Sequence, residues 1–165
     1  MGAGKTAVGR QLAHDLDLAF YDSDDYVETK TGTNIAWIFD VEGEQGFRRR
    51  ETAAIDELTQ LNPIILATGG GSVLSEQNRR FLRERGKIIY LAVSLSEQLQ
   101  RTSHDSRHRR PLLQTSNRVE SLTILYNQRE PIYQSLADYK LFTDGCSVKN
   151  IVQRIRNYLQ KSLSD

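Results

Sequence analysis

Apolar positions along the chain fall into two alternating patterns. Short apolar runs at Ala19–Tyr21, Ile64–Ala67, Ile88–Val93 and Lys140–Phe142 predict strands. Between them lie longer amphipathic stretches that predict helices with one buried stripe. They cover Lys5–Leu16, Glu44–Leu61, Glu76–Arg85, Ser96–Thr102, Arg118–Leu136 and Val148–Leu163. Pro63 closes the second helix, and Gly86 stands where a C-terminal glycine belongs. Strands separated by helices imply βαβ units and a parallel sheet. One segment breaks the pattern. His104–Arg110, HDSRHRR, is polar and basic without an apolar residue, and is expected to be a mobile loop.

Composition narrows the picture. At 165 residues the chain fits one compact domain. Its net charge of +1 provides no global field for nucleic acid or anionic membranes, so any anion site must be built locally. The single cysteine, Cys146, excludes an internal disulfide framework and suits a reducing cytosol. No apolar run approaches the roughly 20 residues of a spanning helix, and no signal-peptide h-region opens the chain. A soluble cytoplasmic domain is the expectation.

Five groups of residues carry candidate chemistry. The first, MGAGKT, supplies the last six positions of G-x-x-x-x-G-K-[ST], a phosphate-cradling loop. Gly2 and Gly4 let backbone N–H groups turn inward, and the helix beginning near Lys5 aims its positive end at the same spot. In such a loop Lys5 reaches the β- and γ-phosphates and Thr6 ligates magnesium. The second, FYDSDD, puts Asp22, Asp24 and Asp25 after a strand, where α/β sheets bind ligands; aspartate is equally a common N-cap there. The third, GFRRRE, lies on a helix whose apolar side holds Phe47, Ala54, Ile55, Leu58 and Leu61. At roughly 100° per residue Arg49 points away from that side, while Arg48 and Arg50 flank it, and periodicity does not choose between these two. The fourth, ATGGGS, sets three glycines after a strand, which lets a ligand lie directly on backbone N–H groups. In the fifth, RRPLL and NQREPIY place Arg110 and Arg129 beside prolines.

In order and spacing, MGAGKTAVGRQLA, FYDSD, TGTNIAWIFDVEGEQGFRRRE, LATGGGSV, RRPLL and REPIY resemble shikimate kinase, a family of P-loop small-molecule kinases, along the whole chain. The resemblance implies a P-loop NTPase fold: one α/β domain over residues 1–165, with a doubly wound, parallel, five-stranded sheet flanked by helices. It implies a substrate-binding region at 24–62 and a mobile lid at 103–116. The reaction it implies is ATP-dependent phosphorylation of shikimate at the 3-hydroxyl, by a monomer that uses Mg²⁺.

The site residues follow by matching motif positions. Gly2, Ala3, Gly4, Lys5, Thr6 and Ala7 match the nucleotide loop, although Ala7 stands where the family commonly has a hydroxyl. Thr6 and Asp22 match the magnesium ligands, Asp22 through water. Asp24 matches the acid that bonds the substrate hydroxyls and is the proposed base. Arg48, rather than Arg50, matches a carboxylate-binding arginine, with Arg129 as the second and Gly70 as a backbone contact. Arg110 matches the lid arginine on ATP. Cys146 falls where the family contacts adenine mainly through backbone, and a buried or neutral thiol is the alternative there. A kinase of another hydroxylated acid, such as gluconate, would share the loop but lack the full TGGG, RRP and REP set. A ligand-sensing relative would lose Lys5, Asp24 or Arg110. The strand that normally carries the loop is not in the sequence; the natural chain is expected to begin upstream of Met1, with a short Ile, Leu, Val or Phe strand at the centre of the sheet.

Overall fold

The computed structural model describes residues 2–103 and 118–162. Its elements run α1 (Lys5–Leu16), β1 (Ala19–Asp22), α2 (Ser23–Thr31), α3 (Ile35–Thr59), β2 (Ile64–Ala67), a 3₁₀ turn (Ser72–Leu74), α4 (Glu76–Arg85), β3 (Ile89–Ala92), α5 (Leu95–Ser103), α6 (Arg118–Leu136), β4 (Tyr139–Phe142) and α7 (Val148–Ser162). The predicted alternation is therefore present, and α1, β2, α4 and α6 have the predicted bounds.

Three local differences have identifiable causes. The helix expected from Glu44 begins at Ile35, where the Asn34 side chain accepts from the Trp37 N–H at 2.8 Å. Gly43 (φ 69°, ψ 179°) breaks its periodicity, so only the second limb shows a continuous apolar stripe. Leu61, placed on that stripe from the sequence, lies beyond the helix and is half exposed. Gly86 ends α4 in extended backbone (φ −163°, ψ 173°), because the chain runs on directly toward β3. Left-handed terminations fall instead at Asp17 (φ 54°) and Gly32 (φ 68°).

The strands pair as two parallel ladders. β1 lies beside β2 in the register Ala19↔Ile64 to Asp22↔Ala67, and β3 beside β4 from Ile89↔Tyr139 to Ala92↔Phe142. Among the described residues these form two separate two-stranded sheets rather than one continuous five-stranded sheet. A cavity of about 360 Å³ takes the place of a ladder between β2 and β3. It is lined by all of β2, by Ile89–Leu91 of β3, by Val8 and Leu12 of α1, and by Ile155 and Leu159 of α7. Ile64, Ile65, Leu66 and Ile89 are consequently only half buried, although central parallel strands normally bury both faces.

Two apolar clusters hold the layers. Val8, Leu12, Leu91, Val93, Leu141, Ile151, Val152 and Ile155 join α1 and α7 to the β3–β4 pair. Val27, Ile38, Phe47 and Ala54 join α2 to both limbs of α3. Across the Gly43 break, Arg50 donates to both oxygens of Glu42 at 2.7–3.2 Å, which clasps the two limbs.

Gly43→Ala tests the break. No atom lies within 4 Å of an added Cβ, so its cost is backbone strain alone in a region that glycine nearly monopolises. Urea unfolding should show a loss of about 1–3 kcal/mol with an unchanged m-value. A loss under about 0.5 kcal/mol would mean that the limbs realign freely.

Candidate active site

Gly2 (φ 68°) and Gly4 (φ 78°) both adopt left-handed backbone and turn the chain into α1. No side chain caps that helix, so its first N–H groups remain available to an anion. The Thr6 hydroxyl donates to Asp22 Oδ2 at 2.9 Å, while Asp22 Oδ1 accepts from the Asp24 N–H at 3.1 Å. One carboxylate thus caps α2, as the N-cap reading expects, and also meets the phosphate-loop hydroxyl. Arg101 ties the loop down from behind: it donates to the carbonyls of Gly2 and Thr143, each at 3.2 Å.

The triple-glycine segment is where three helices meet. A Cβ on Gly69 would lie 2.8 Å from both Asp24 Oδ1 and Glu51 Oε1. On Gly71 it would lie 2.4–2.7 Å from the Arg48 guanidinium, and on Gly70 3.5 Å from Arg129 Nη1. At Gly69 and Gly71 the absence of a Cβ lets α2 and α3 press these groups onto the backbone, and Arg129 of α6 comes within ordinary contact of the Gly70 position. Asp24, Arg48, Gly70 and Arg129, scattered over more than a hundred residues of sequence, form one cluster.

The three neighbouring arginines have different surroundings. Arg48 bonds Glu51 at 2.8 Å and Glu44 at 3.1 Å beside the glycines. Arg49 is exposed, and Arg50 is committed to Glu42. Arg129 is 5% exposed, and among the described residues its Nε has no partner, as is also true of Asp24 Oδ1 and Glu51 Oε1. Burial, then the charges of Asp22 and Glu51, push the Asp24 carboxyl up to about 6 against the pull of Lys5 and Arg48. Burial raises Glu51 as well, opposed by Arg48 and Arg129. Lys5 and Ala3 lie on the wall of the cavity behind the loop.

Two readings stand apart from this cluster. Arg110 and all of the 103–116 segment except Ser103 lie outside the described residues. Cys146 is half buried against the α1–α7 core, with its N–H on the Thr143 carbonyl at 3.1 Å. Its side chain packs against that core.

A family model for shikimate kinase matches residues 1–160. The chain belongs to the shikimate kinase family. It is 52% identical over 159 residues to the shikimate kinase of Legionella pneumophila (strain Corby), covering 96% of this chain and 90% of that protein. It is 49% identical to the enzyme of Vibrio campbellii, covering 98% and 92%. Among solved structures, shikimate kinase from Acinetobacter baumannii in complex with shikimate superposes with a TM-score of 0.94 at 44% identity, covering 98% of this chain and 89% of that one.

Sequence reasoning gave no role to several residues of this shikimate kinase site. Glu51 sits three positions from Arg48 on the apolar face, and an acid on such a face is a usable signal. Arg101 and Ser23, whose hydroxyl accepts from the Gly69 N–H at 3.0 Å, leave no trace in the sequence because their partners are remote.

The crowding around Asp24 has a stability consequence. Its carboxyl is raised from 3.8 to about 6, so the folded state holds the proton more tightly. That contribution is fully present below about pH 4 and is lost as pH rises through 6, a cost of up to about 3 kcal/mol above it. Asp24→Asn should therefore be more stable than wild type by about 1–3 kcal/mol at pH 8, with the gap closing between pH 6 and pH 4. Urea melts at three pH values decide this. A gap independent of pH would show that ionisation of Asp24 carries no such cost.

Proposed function

We propose that this chain transfers the γ-phosphoryl group of ATP to the 3-hydroxyl of shikimate, a step of chorismate and aromatic amino-acid biosynthesis, as a cytoplasmic monomer acting on small molecules rather than on nucleic acid or membranes. Among the described residues no helix is long and apolar enough to cross a membrane. The observation that carries the substrate assignment is the convergence of Arg48, Arg129 and Asp24 on three successive glycines. Two guanidinium groups fit a carboxylate, and an adjacent acid fits ring hydroxyls. A substrate with one carboxylate and several hydroxyls is oriented by that set.

The remaining roles follow from position. Gly2, Ala3, Gly4, Lys5, Thr6 and Ala7 bind the nucleotide phosphates, and the backbone near Cys146 borders the adenine. Thr6 and Asp22 present a hydroxyl and a carboxylate in contact, a hard-oxygen pair that suits Mg²⁺ held jointly by protein, water and phosphate. Bound there, the ion neutralises phosphate charge. Lys5 and Arg110 add positive charge around the moving phosphoryl group, since such transfer needs alignment and neutralisation more than covalent chemistry. Asp24, with a carboxyl near 6, is ionised at neutral pH and basic enough to take the proton of the 3-hydroxyl. Residues 24–62 form the substrate region, and 103–116 close over ATP to exclude water.

The cavity between β2 and β3 supports a five-stranded sheet. We place an apolar strand there, supplied from upstream of Met1 and leading into Gly2. It would pair with the free edges of both strands and fill the space now lined by Ile64–Leu66 and Ile89–Leu91. Expressing the chain with and without its upstream codons tests this: the longer form should be the more stable and active. A stable, fully active 165-residue chain would remove the added strand.

A coupled assay of ATP consumption with shikimate tests the activity. Arg48→Ala and Arg129→Ala should each weaken shikimate binding by about 1.5–3 kcal/mol, the loss of charge-assisted bonds. Arg49→Ala should change it less than twofold, about 0.4 kcal/mol. Asp24→Asn should lower kcat at least about 10²-fold with nucleotide binding kept. Equal effects at Arg48 and Arg49 would overturn the substrate assignment.

A further inference from the structure

We infer that Tyr133 is a positioning residue for shikimate, acting through the peptide that joins Gly70 to Gly71; this rests on the proposed binding of the substrate between Arg48, Arg129 and the glycine segment. Arg129 and Tyr133 stand one turn apart on α6 and project from the same face. The Tyr133 hydroxyl donates to the Gly70 carbonyl at 2.5 Å. Every carbonyl of the three glycines is held by the protein. That of Gly69 accepts from the Ser72 hydroxyl at 2.7 Å and its N–H at 3.2 Å, and that of Gly71 from the Leu74 N–H at 3.0 Å. Those two holds are local, whereas Tyr133 reaches in from another element. On the donor side the Gly69 N–H is taken by Ser23, but among the described residues nothing in the protein accepts from the N–H of Gly70 or Gly71.

Peptide planarity links these facts. The Gly70 carbonyl and the Gly71 N–H belong to one trans unit and point in opposite directions. By fixing the carbonyl toward α6, Tyr133 fixes the Gly71 N–H away from it. Flanking glycines cannot do this themselves, because their backbone is the least restrained in the chain.

A second link runs to Arg129. The Tyr133 hydroxyl and Arg129 Nη1 flank the same point, 3.2 and 3.5 Å from a Cβ on Gly70. Burial raises the Tyr133 phenol, against the pull of the neighbouring Arg129 charge. A guanidinium only donates, and the hydroxyl gives its proton to Gly70, so what it presents to the neighbouring Arg129 is lone pairs. One hydroxyl therefore fixes a backbone donor and lies beside an arginine of the same site. The ring itself is held separately, packed against Tyr90 with centroids 5.0 Å apart and the planes tilted by 30°.

Tyr133→Phe removes the hydroxyl and keeps the ring contact with Tyr90. Steady-state kinetics should show the KM for shikimate raised about 5- to 10-fold, the loss of one buried hydrogen bond, with kcat within about twofold and the KM for ATP unchanged. Calorimetric titration with shikimate in the cold reads affinity from folded protein alone and should show the same change. A purely structural role would reduce the active fraction and leave the shikimate KM in place, and that result overturns the inference. Arg129→Ala measured in parallel separates the two levels. If it raises the shikimate KM and Tyr133→Phe does not, only the role of Tyr133 fails. If neither variant does, the substrate site itself is misplaced and the inference falls with it.

Discussion

The arrangement depends on one steric condition: three successive glycines after β2 leave room for side chains to lie against bare backbone. Asp24 and Glu51 meet Gly69, Arg129 meets Gly70 and Arg48 meets Gly71. A single methyl at Gly69 or Gly71 would overlap the groups that define the site. None of Gly69, Gly70 and Gly71 has a positive φ, so the requirement is for space rather than for an unusual turn. Gly4 and Gly43 are the reverse, with left-handed backbone and open space where a Cβ would be. Glycine serves two different physical purposes in the same chain.

Placing these groups together concentrates charge away from water. Two carboxylates with unpartnered oxygens face one glycine, with Arg48, Arg129 and Lys5 around them. The raised Asp24 carboxyl is the measure of that crowding, and it opposes folding at neutral pH. Sites built for charged ligands commonly carry such a cost, because the arrangement is complementary to the ligand rather than to itself. Arg48 is held by Glu51 and Glu44 and Asp22 by Thr6 and its own helix, whereas Asp24 Oδ1 and Glu51 Oε1 are left without partners among the described residues.

The phosphate loop is secured from the side rather than from below. Thr6 reaches Asp22 across from α1 to the end of β1, and Arg101 spans from Gly2 to Thr143 at the end of β4. These bonds join the β1–β2 half to the β3–β4 half around the cavity, where no ladder connects them. The helical layers carry the rest, with α1 and α7 closing one side of both pairs.

Much of this was legible in the chain. Apolar periodicity located the strands and the main helices, since each element must bury one face whatever its neighbours are. GAGKT and TGGG announced anion and backbone contacts, because few other uses suit a lysine after paired glycines or three glycines in a row. The break at Gly43 was hidden, since a capped first limb with exposed Trp37 and Val41 shows no clean stripe. Periodicity left Arg48 and Arg50 equal; what separated them was Glu42, eight residues from Arg50 and in reach only because the helix breaks between them. Ser23, Arg101 and Tyr133 act on atoms 46, 99 and 63 positions away, so their roles exist only once the chain is folded. Local sequence determined which elements form and which chemistry each one carries. Tertiary structure alone decided which side chains share the glycine segment, because hydrogen bonds and charge act over a few ångströms of space, without regard to distance along the chain.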